Sequence, residues 1–179
     1  QQELINQKLS NDISEQEIAE YYGKNKELFK LETPLIKGLF IKVPLTAPQL
    51  NNVRRWYKSE KQDAVESLEK YSLQNAVKYE YFYDKWVSVT DVLDMIPLKV
   101  EAPEEYVDKH RQVELKDTAY YYFLNVSDYR GIGEEKPYEF ARSEVKDLLV
   151  NQKRVSFMEQ VKNDLYQQAV SKKKIIYNY

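Results

Sequence analysis

The sequence AYYYFLNVSDYR, residues 119–130, carries the strongest strand signal in the chain. Aromatic and aliphatic side chains dominate this run, and such residues favour extended backbone over helix. Asp117 precedes the run, and Gly131 and Gly133 follow it, so turn-forming residues bound it on both sides. We therefore predict a strand over residues 119–128.

The rest of the chain alternates between strand-like and helix-like patterns. Ser14-Glu15-Gln16-Glu17 is a capping-box signature, which predicts the start of a helix. Further strands are predicted at 35–43, 77–86 and 112–115. Helices are predicted at 14–30, from residue 46, at 62–71, at 90–97 and at 137–171. Thr90 is the predicted cap of the fourth of these helices, and the last has a soft break at 150–154. A last short strand is predicted at 174–179. This order of elements predicts an α+β fold with an antiparallel sheet.

Composition excludes several classes of protein. The chain has 27 basic and 29 acidic residues, for a net charge of −2, so it lacks the basic face that a nucleic-acid-binding protein needs. No apolar run approaches the roughly 18 residues of a membrane span. The chain has no Cys, which excludes disulfides and thiolate chemistry and fits a protein of an oxidising compartment.

Two segments resemble a known family. Residues 122–130, YFLNVSDYR, resemble the last strand of parvulin-type peptidyl-prolyl isomerases, whose pattern is roughly His-Ile-Ile-x-Val-x-Asp-x-Arg. Residues 13–30, ISEQEIAEYYGKNKELFK, are similar to the helix that precedes the isomerase module in periplasmic foldases of the SurA and PrsA kind. These foldases also end in a long helix that packs on helices from before the module.

The resemblance implies a domain organisation. Residues 34–133 would form a parvulin-like antiparallel sheet with flanking helices. Residues 1–33 and 134–179 would form a helical chaperone lobe, in which the N-terminal helix packs against the long C-terminal helix and the last short strand.

The resemblance also locates the positions where a parvulin carries its active-site histidines, and this chain has none there. The His of the first strand falls at Leu39 or Phe40, and the His of the last strand falls at Tyr122. The glycine loop before the second strand is replaced by Leu-Gln-Asn-Ala at 73–76. His110 is the only His, and it lies outside both motifs. We therefore expect no catalytic residue, no cofactor and no metal site.

This chain does have a set of aromatic side chains on two of the predicted strands. We expect these two strands to be neighbours in the sheet, as in the parvulin fold that the sequence resembles. One set of alternating rings would belong to the core, and the other would contact unfolded polypeptide by stacking and apolar burial. The candidate peptide-binding residues are Tyr79, Tyr81, Tyr83, Trp86, Tyr120 and Tyr122.

The sequence therefore favours a folding factor of the bacterial periplasm or envelope that binds unfolded or nascent polypeptides. No signal sequence is visible in the chain, and a homo-oligomer is left open. One alternative is an active isomerase with a non-standard site. Another is an envelope assembly protein that docks one folded partner.

Overall fold

The structure, a computed structural model, describes the backbone of residues 2–177 and the side chains of Leu4 and residues 7–173. The chain forms two compact units. One contains the residues up to Lys30 together with those from Glu135 onward, and the other spans Leu31–Glu134.

The second unit is built on a four-stranded antiparallel sheet, so the predicted α+β class is confirmed. The strands lie in the spatial order β2-β1-β4-β3. Each strand falls within two residues of its predicted bounds. The strands are β1 (Leu35–Pro44), β2 (Lys78–Ser88), β3 (Gln112–Lys116) and β4 (Tyr120–Arg130).

One face of the sheet is covered by α3 (Leu50–Tyr57) and α4 (Gln62–Asn75), and we call it the α3–α4 face. The helix predicted from residue 46 begins later, because Gln49 precedes α3 in a left-handed conformation at φ 57°. Buried side chains of β1, both helices and β4 form a core there. It contains Leu39, Ile41, Val43, Val53, Tyr57, Leu68, Tyr71 and Phe123.

The opposite face is covered by α5 (Val89–Leu93) and α6 (Pro103–Lys109), and we call it the α5–α6 face. The predicted cap of α5 is wrong: Thr90 lies inside the helix, and its hydroxyl is 2.8 Å from that of Ser88, the residue before α5. The core on this face contains Ile36, Phe40, Phe82, Val89, Val92, Ile96, Val107, Val113, Tyr122, Leu124 and Val126.

The first unit is helical. The capping box is confirmed, because the backbone N–H of Glu17 donates to the Ser14 hydroxyl at 3.1 Å, and the Glu17 carboxylate accepts from the Ser14 backbone N–H. The helix that follows, α2 (Glu15–Lys24), is shorter than predicted and is followed by a short 3-10 helix at Lys26–Leu28. The preceding helix, α1 (Gln2–Asn11), was not predicted.

The long helix α7 (Tyr138–Tyr177) has 40 residues and no break at 150–154. The strand predicted at 174–179 is wrong over 174–177, which are helical, and Asn178 and Tyr179 lie outside the described residues. Among the described side chains of α7, those that are buried lie in its first part, where Ala141 and Val145 pack with Ile18 and Phe29.

Candidate functional site

Of the positions at which the sequence resemblance would place the two parvulin histidines, Phe40 and Tyr122 lie on the α5–α6 face. Phe40 and Tyr122 both point to this face, whereas Leu39 packs on the α3–α4 face. In the register of the sheet, Phe40 is paired with Leu124 and Lys42 with Tyr122. Of the two candidate positions on the first strand, Phe40 therefore shares a face with Tyr122, and Leu39 does not.

Large side chains fill the space beside these two positions. Phe40 is fully buried, and Tyr122 is 5% exposed. Both belong to one cluster with Phe82 from β2 and with Val92 and Ile96 from α5 and the segment after it. Buried carbon atoms therefore occupy the space between these two positions.

The hydroxyl of Tyr122 forms a hydrogen bond at the edge of this cluster. It donates a hydrogen bond to Asp117 Oδ2 at 2.5 Å. Burial, reinforced by this hydrogen bond, raises the pKa of Tyr122 to about 12. The same hydrogen bond, with two from the backbone N–H groups of Ala119 and Tyr120, lowers the pKa of Asp117. Near neutral pH, Tyr122 therefore keeps its proton and Asp117 stays ionised.

The six candidate peptide-binding aromatics do not form one surface. The expectation that β2 and β4 are neighbours is wrong, because β1 lies between them. Tyr79 and Tyr83 pack on the α3–α4 face, whereas Tyr120 and Tyr122 pack on the α5–α6 face. Since side chains alternate along a strand, Tyr81 lies on the same face as Tyr79 and Tyr83.

Trp86 is buried in a separate cluster, apart from the other five aromatic residues. It is 8% exposed and packs with Leu31 and Leu35. The ammonium of Lys37 and the guanidinium of Arg130 each lie 4.9 Å from the centre of its ring. Such cation–π contacts hold the ring in place, so the ring is not free to stack on an unfolded polypeptide.

Of the six, Tyr81 has the most accessible ring. It is 41% exposed and meets the half-buried Tyr83 edge-on, with ring centres 5.5 Å apart. The Tyr83 hydroxyl accepts a hydrogen bond from Asn125 Nδ2 at 2.9 Å. Burial raises the pKa of Tyr83 and of Tyr79 to about 12. The Tyr79 hydroxyl is buried without a hydrogen-bond partner among the described residues.

Two residues that were not predicted from the sequence shape this region. Asn125 is a buried polar residue in the middle of β4, and its position inside an apolar run was a signal of a specific hydrogen bond. Gly38 lies at an irregularity in the pairing of β1, where β2 bulges so that residues 83–86 lie opposite Lys37 alone. The bulge brings Trp86 to its buried position.

The other chemical groups considered give no site within the described part of the chain. His110 follows α6 and stacks on Tyr106, with ring centres 4.0 Å apart, and its Nδ1 is 3.2 Å from the Tyr106 carbonyl oxygen. Among the side chains of residues 7–173, no three His, Asp or Glu are grouped closely enough to hold a metal ion. No helix there is both long and apolar enough to cross a membrane.

The chain was compared with family models, curated proteins and solved structures. Neither a family model nor a curated protein matches the chain. A solved structure that is similar comes from work on the virulence factor PEB4 and the periplasmic protein Cj1289, two structurally related SurA-like chaperones of Campylobacter jejuni. The match has 9% identity, covers 93% of this chain and 67% of that one, and has a TM-score of 0.36. With so low a TM-score, the likeness carries no argument about fold or function.

Proposed function

We propose that this protein is a folding factor of the bacterial envelope that binds unfolded or partly folded polypeptides and does not catalyse prolyl isomerisation. The observation that carries the proposal is the burial of Phe40 and Tyr122 in one packed cluster at the positions of the family's histidines. The envelope location rests on the sequence resemblance to periplasmic foldases.

Loss of catalysis follows from the energetics of the reaction. Rotation about a peptide bond has a barrier near 20 kcal/mol, and an enzyme must hold the prolyl ring beside polar groups that act on the twisted amide. At the family's site this chain has a buried Phe, and a Tyr whose hydroxyl is bound to Asp117. A proline ring could not lie between Phe40 and Tyr122 without displacing buried side chains of this cluster.

Binding is supported by apolar side chains that remain exposed. The later part of α7 presents a series of them, although large apolar side chains usually make up the core of a protein of this size. Tyr81 adds an accessible ring on the sheet. The exposed apolar residues of this part of α7 are Val155, Phe157, Met158, Val161, Leu165 and Tyr166.

Two assays on the full chain test the proposal. In the first, the cis-to-trans rate of an X-Pro peptide is measured with and without the protein, with an active parvulin as the positive control. We expect no acceleration over buffer. A rate well above buffer would contradict the proposal and favour an isomerase with a non-standard site.

In the second assay, aggregation of several unrelated unfolded proteins is followed by light scattering. We expect a stoichiometric excess of the protein to suppress aggregation of most of them, because apolar contacts are not sequence-specific. Protection of none of them would reject the folding-factor proposal and leave the docking of one folded partner as the better explanation.

A further inference from the structure

The strand β2 forms one edge of the sheet, and no strand of the described residues pairs with its outer side. An edge strand presents unpaired N–H and C=O groups that can pair with another extended chain. The opposite edge, β3, is protected in the usual way, because it has five residues and its sequence QVELK places polar or charged residues at alternate positions. The strand β2 also carries charged residues and a bulge at residues 83–86, but it has eleven residues, and several before the bulge are aromatic.

The hydrogen bonds of the sheet determine which groups of β2 face outward. The Leu45 N–H donates to the Ala119 carbonyl at 3.0 Å, so odd-numbered residues of β1 pair with β4 and even-numbered residues pair with β2. In the register between β1 and β2, the backbone of Glu80 therefore pairs with β1. The N–H and C=O groups of Tyr79 and Tyr81 face the open side.

A pocket of about 230 Å³ lies beside this edge, within the second unit. Its apolar walls come from the α5–α6 face, and its rim carries charges of both signs. Side chains of an added strand would alternate between the two faces, so one of those on the α5–α6 side could enter this pocket. The pocket is lined by Glu80, Phe82, Lys85, Val87, Asp91, Val92 and Met95.

The opposite face of the same edge offers a second contact. Tyr81 is 41% exposed there, and its ring is held edge-on against Tyr83. The side chains of an added strand that do not point toward the pocket would lie against this ring. One short stretch of β2 thus combines free backbone groups, an apolar pocket on one face and an accessible aromatic ring on the other.

We infer that an extended, apolar segment of an unfolded polypeptide binds at the outer edge of β2 as a fifth strand, with one side chain in the pocket and its neighbour against Tyr81. Backbone pairing provides affinity for any sequence, and the pocket selects an apolar side chain. The inference rests on the proposed function and assigns a binding site to it.

The first test uses full-length protein and a fluorescent ten-residue peptide of alternating Leu and Thr. Two derivatives are N-methylated, one at every Leu and the other at every Thr, so that each lacks the N–H groups along one side of the strand. We expect one derivative to bind about tenfold more weakly than the parent or worse, and the other to bind like the parent. Equal binding of all three peptides would overturn the inference.

The second test removes the outward N–H from the protein. Tyr81→Ala removes the ring alone, whereas Tyr81→Pro removes the ring and the outward N–H, which an edge strand tolerates. The matched control, Gln112→Pro, removes an outward N–H from β3. We expect Tyr81→Pro to bind the peptide about tenfold more weakly than Tyr81→Ala, and Gln112→Pro to bind like wild type.

The results distinguish this inference from the proposed function. If wild-type protein suppresses aggregation of clients but Tyr81→Pro binds the peptide like Tyr81→Ala, the inference alone is wrong. If wild type neither binds the peptide nor protects clients, both fail. If light scattering reveals a dimer that Tyr81→Pro dissociates, a second copy occupies the edge, and the inference is overturned. Circular dichroism checks the fold of each variant. The test with the methylated peptides uses wild-type protein, so it remains valid if a variant does not fold.

Discussion

At Gly38, a residue of β1, the backbone of β4 approaches closely. A Cβ atom added there would lie 2.1 Å from the carbonyl oxygen of Asn125 and 3.3 Å from the ring of Phe82. The carbonyl belongs to the sheet and cannot move without breaking strand pairing. We therefore expect Gly38→Ala to lower the free energy of unfolding by about 2–4 kcal/mol, measured by urea denaturation.

The matched control is Gly23→Ala in α2. A Cβ atom at Gly23 would have no atom within 4 Å, and Ala favours helix over Gly. We expect this variant to be as stable as wild type or more stable by up to about 1 kcal/mol. If Gly38→Ala unfolds at the same urea concentration as wild type, the close approach of the two strands is not a constraint on this fold.

Residue patterns alone could predict part of the site. The replacement of a family His by Tyr122 is visible in the sequence, because the motif around it is otherwise aligned. The choice between Leu39 and Phe40 is not visible, because neighbouring residues of a strand point to opposite faces and a shift of one residue exchanges them. The pairing of β1 shifts at Gly38, just before these two residues, and only the structure fixes that register.

At the scale of elements, the order of the strands differs from the expectation. The sequence predicts that the Tyr-rich strands β2 and β4 are neighbours, whereas β1 separates them. A signal for the correct order was present. The sequence LIKGLFIKV of β1 is an almost continuous apolar run, as expected for a strand buried on both faces. The sequence KYEYFYDKW of β2 is more polar and suits an edge.

The helix α7 continues through the predicted break because residues 150–154, VNQKR, contain neither Gly nor Pro. Its stability as an element comes from its first part, where Ala141 and Val145 are fully buried against α2 and the chain after it. The part beyond residue 154 presents apolar side chains to solvent. The two parts of the helix should therefore respond differently to substitution.

This difference is testable with the triple variant Phe157→Gln, Val161→Gln and Leu165→Gln. Because all three side chains are exposed, we expect the free energy of unfolding to stay within about 0.5 kcal/mol of wild type. We expect suppression of client aggregation to fall, since apolar contact area is removed. Light scattering at matched protein concentrations measures the effect.

The matched control lies in the buried part of the same helix. Val145→Ala should lower the free energy of unfolding by about 2 kcal/mol and leave client protection unchanged below its melting temperature. If the triple variant protects clients as well as wild type does, the exposed apolar side chains of α7 are not part of the binding surface.

At the scale of the whole molecule, buried tyrosines make the stability of the sheet-containing unit sensitive to alkaline pH. Tyr57, Tyr79, Tyr83 and Tyr122 all lie in the unit Leu31–Glu134, and burial raises the pKa of each to about 12. In the unfolded chain, tyrosine ionises near pH 10. Between about pH 10 and pH 12 the unfolded state has released these protons and the folded state retains them, so stability falls as pH rises through this window.

We therefore expect full stability below about pH 10 and cooperative unfolding of the sheet-containing unit before pH 12, measured by circular dichroism together with tyrosinate absorbance. Urea-unfolded protein is the control, and its tyrosines should ionise together near pH 10. The informative variant is Tyr79→Phe, because the Tyr79 hydroxyl is buried without a partner among the described residues. Removing it should raise stability at neutral pH by up to about 1 kcal/mol and reduce the alkaline loss, since one fewer proton is released on unfolding. Destabilisation of Tyr79→Phe at neutral pH would mean that its hydroxyl has a hydrogen-bond partner after all.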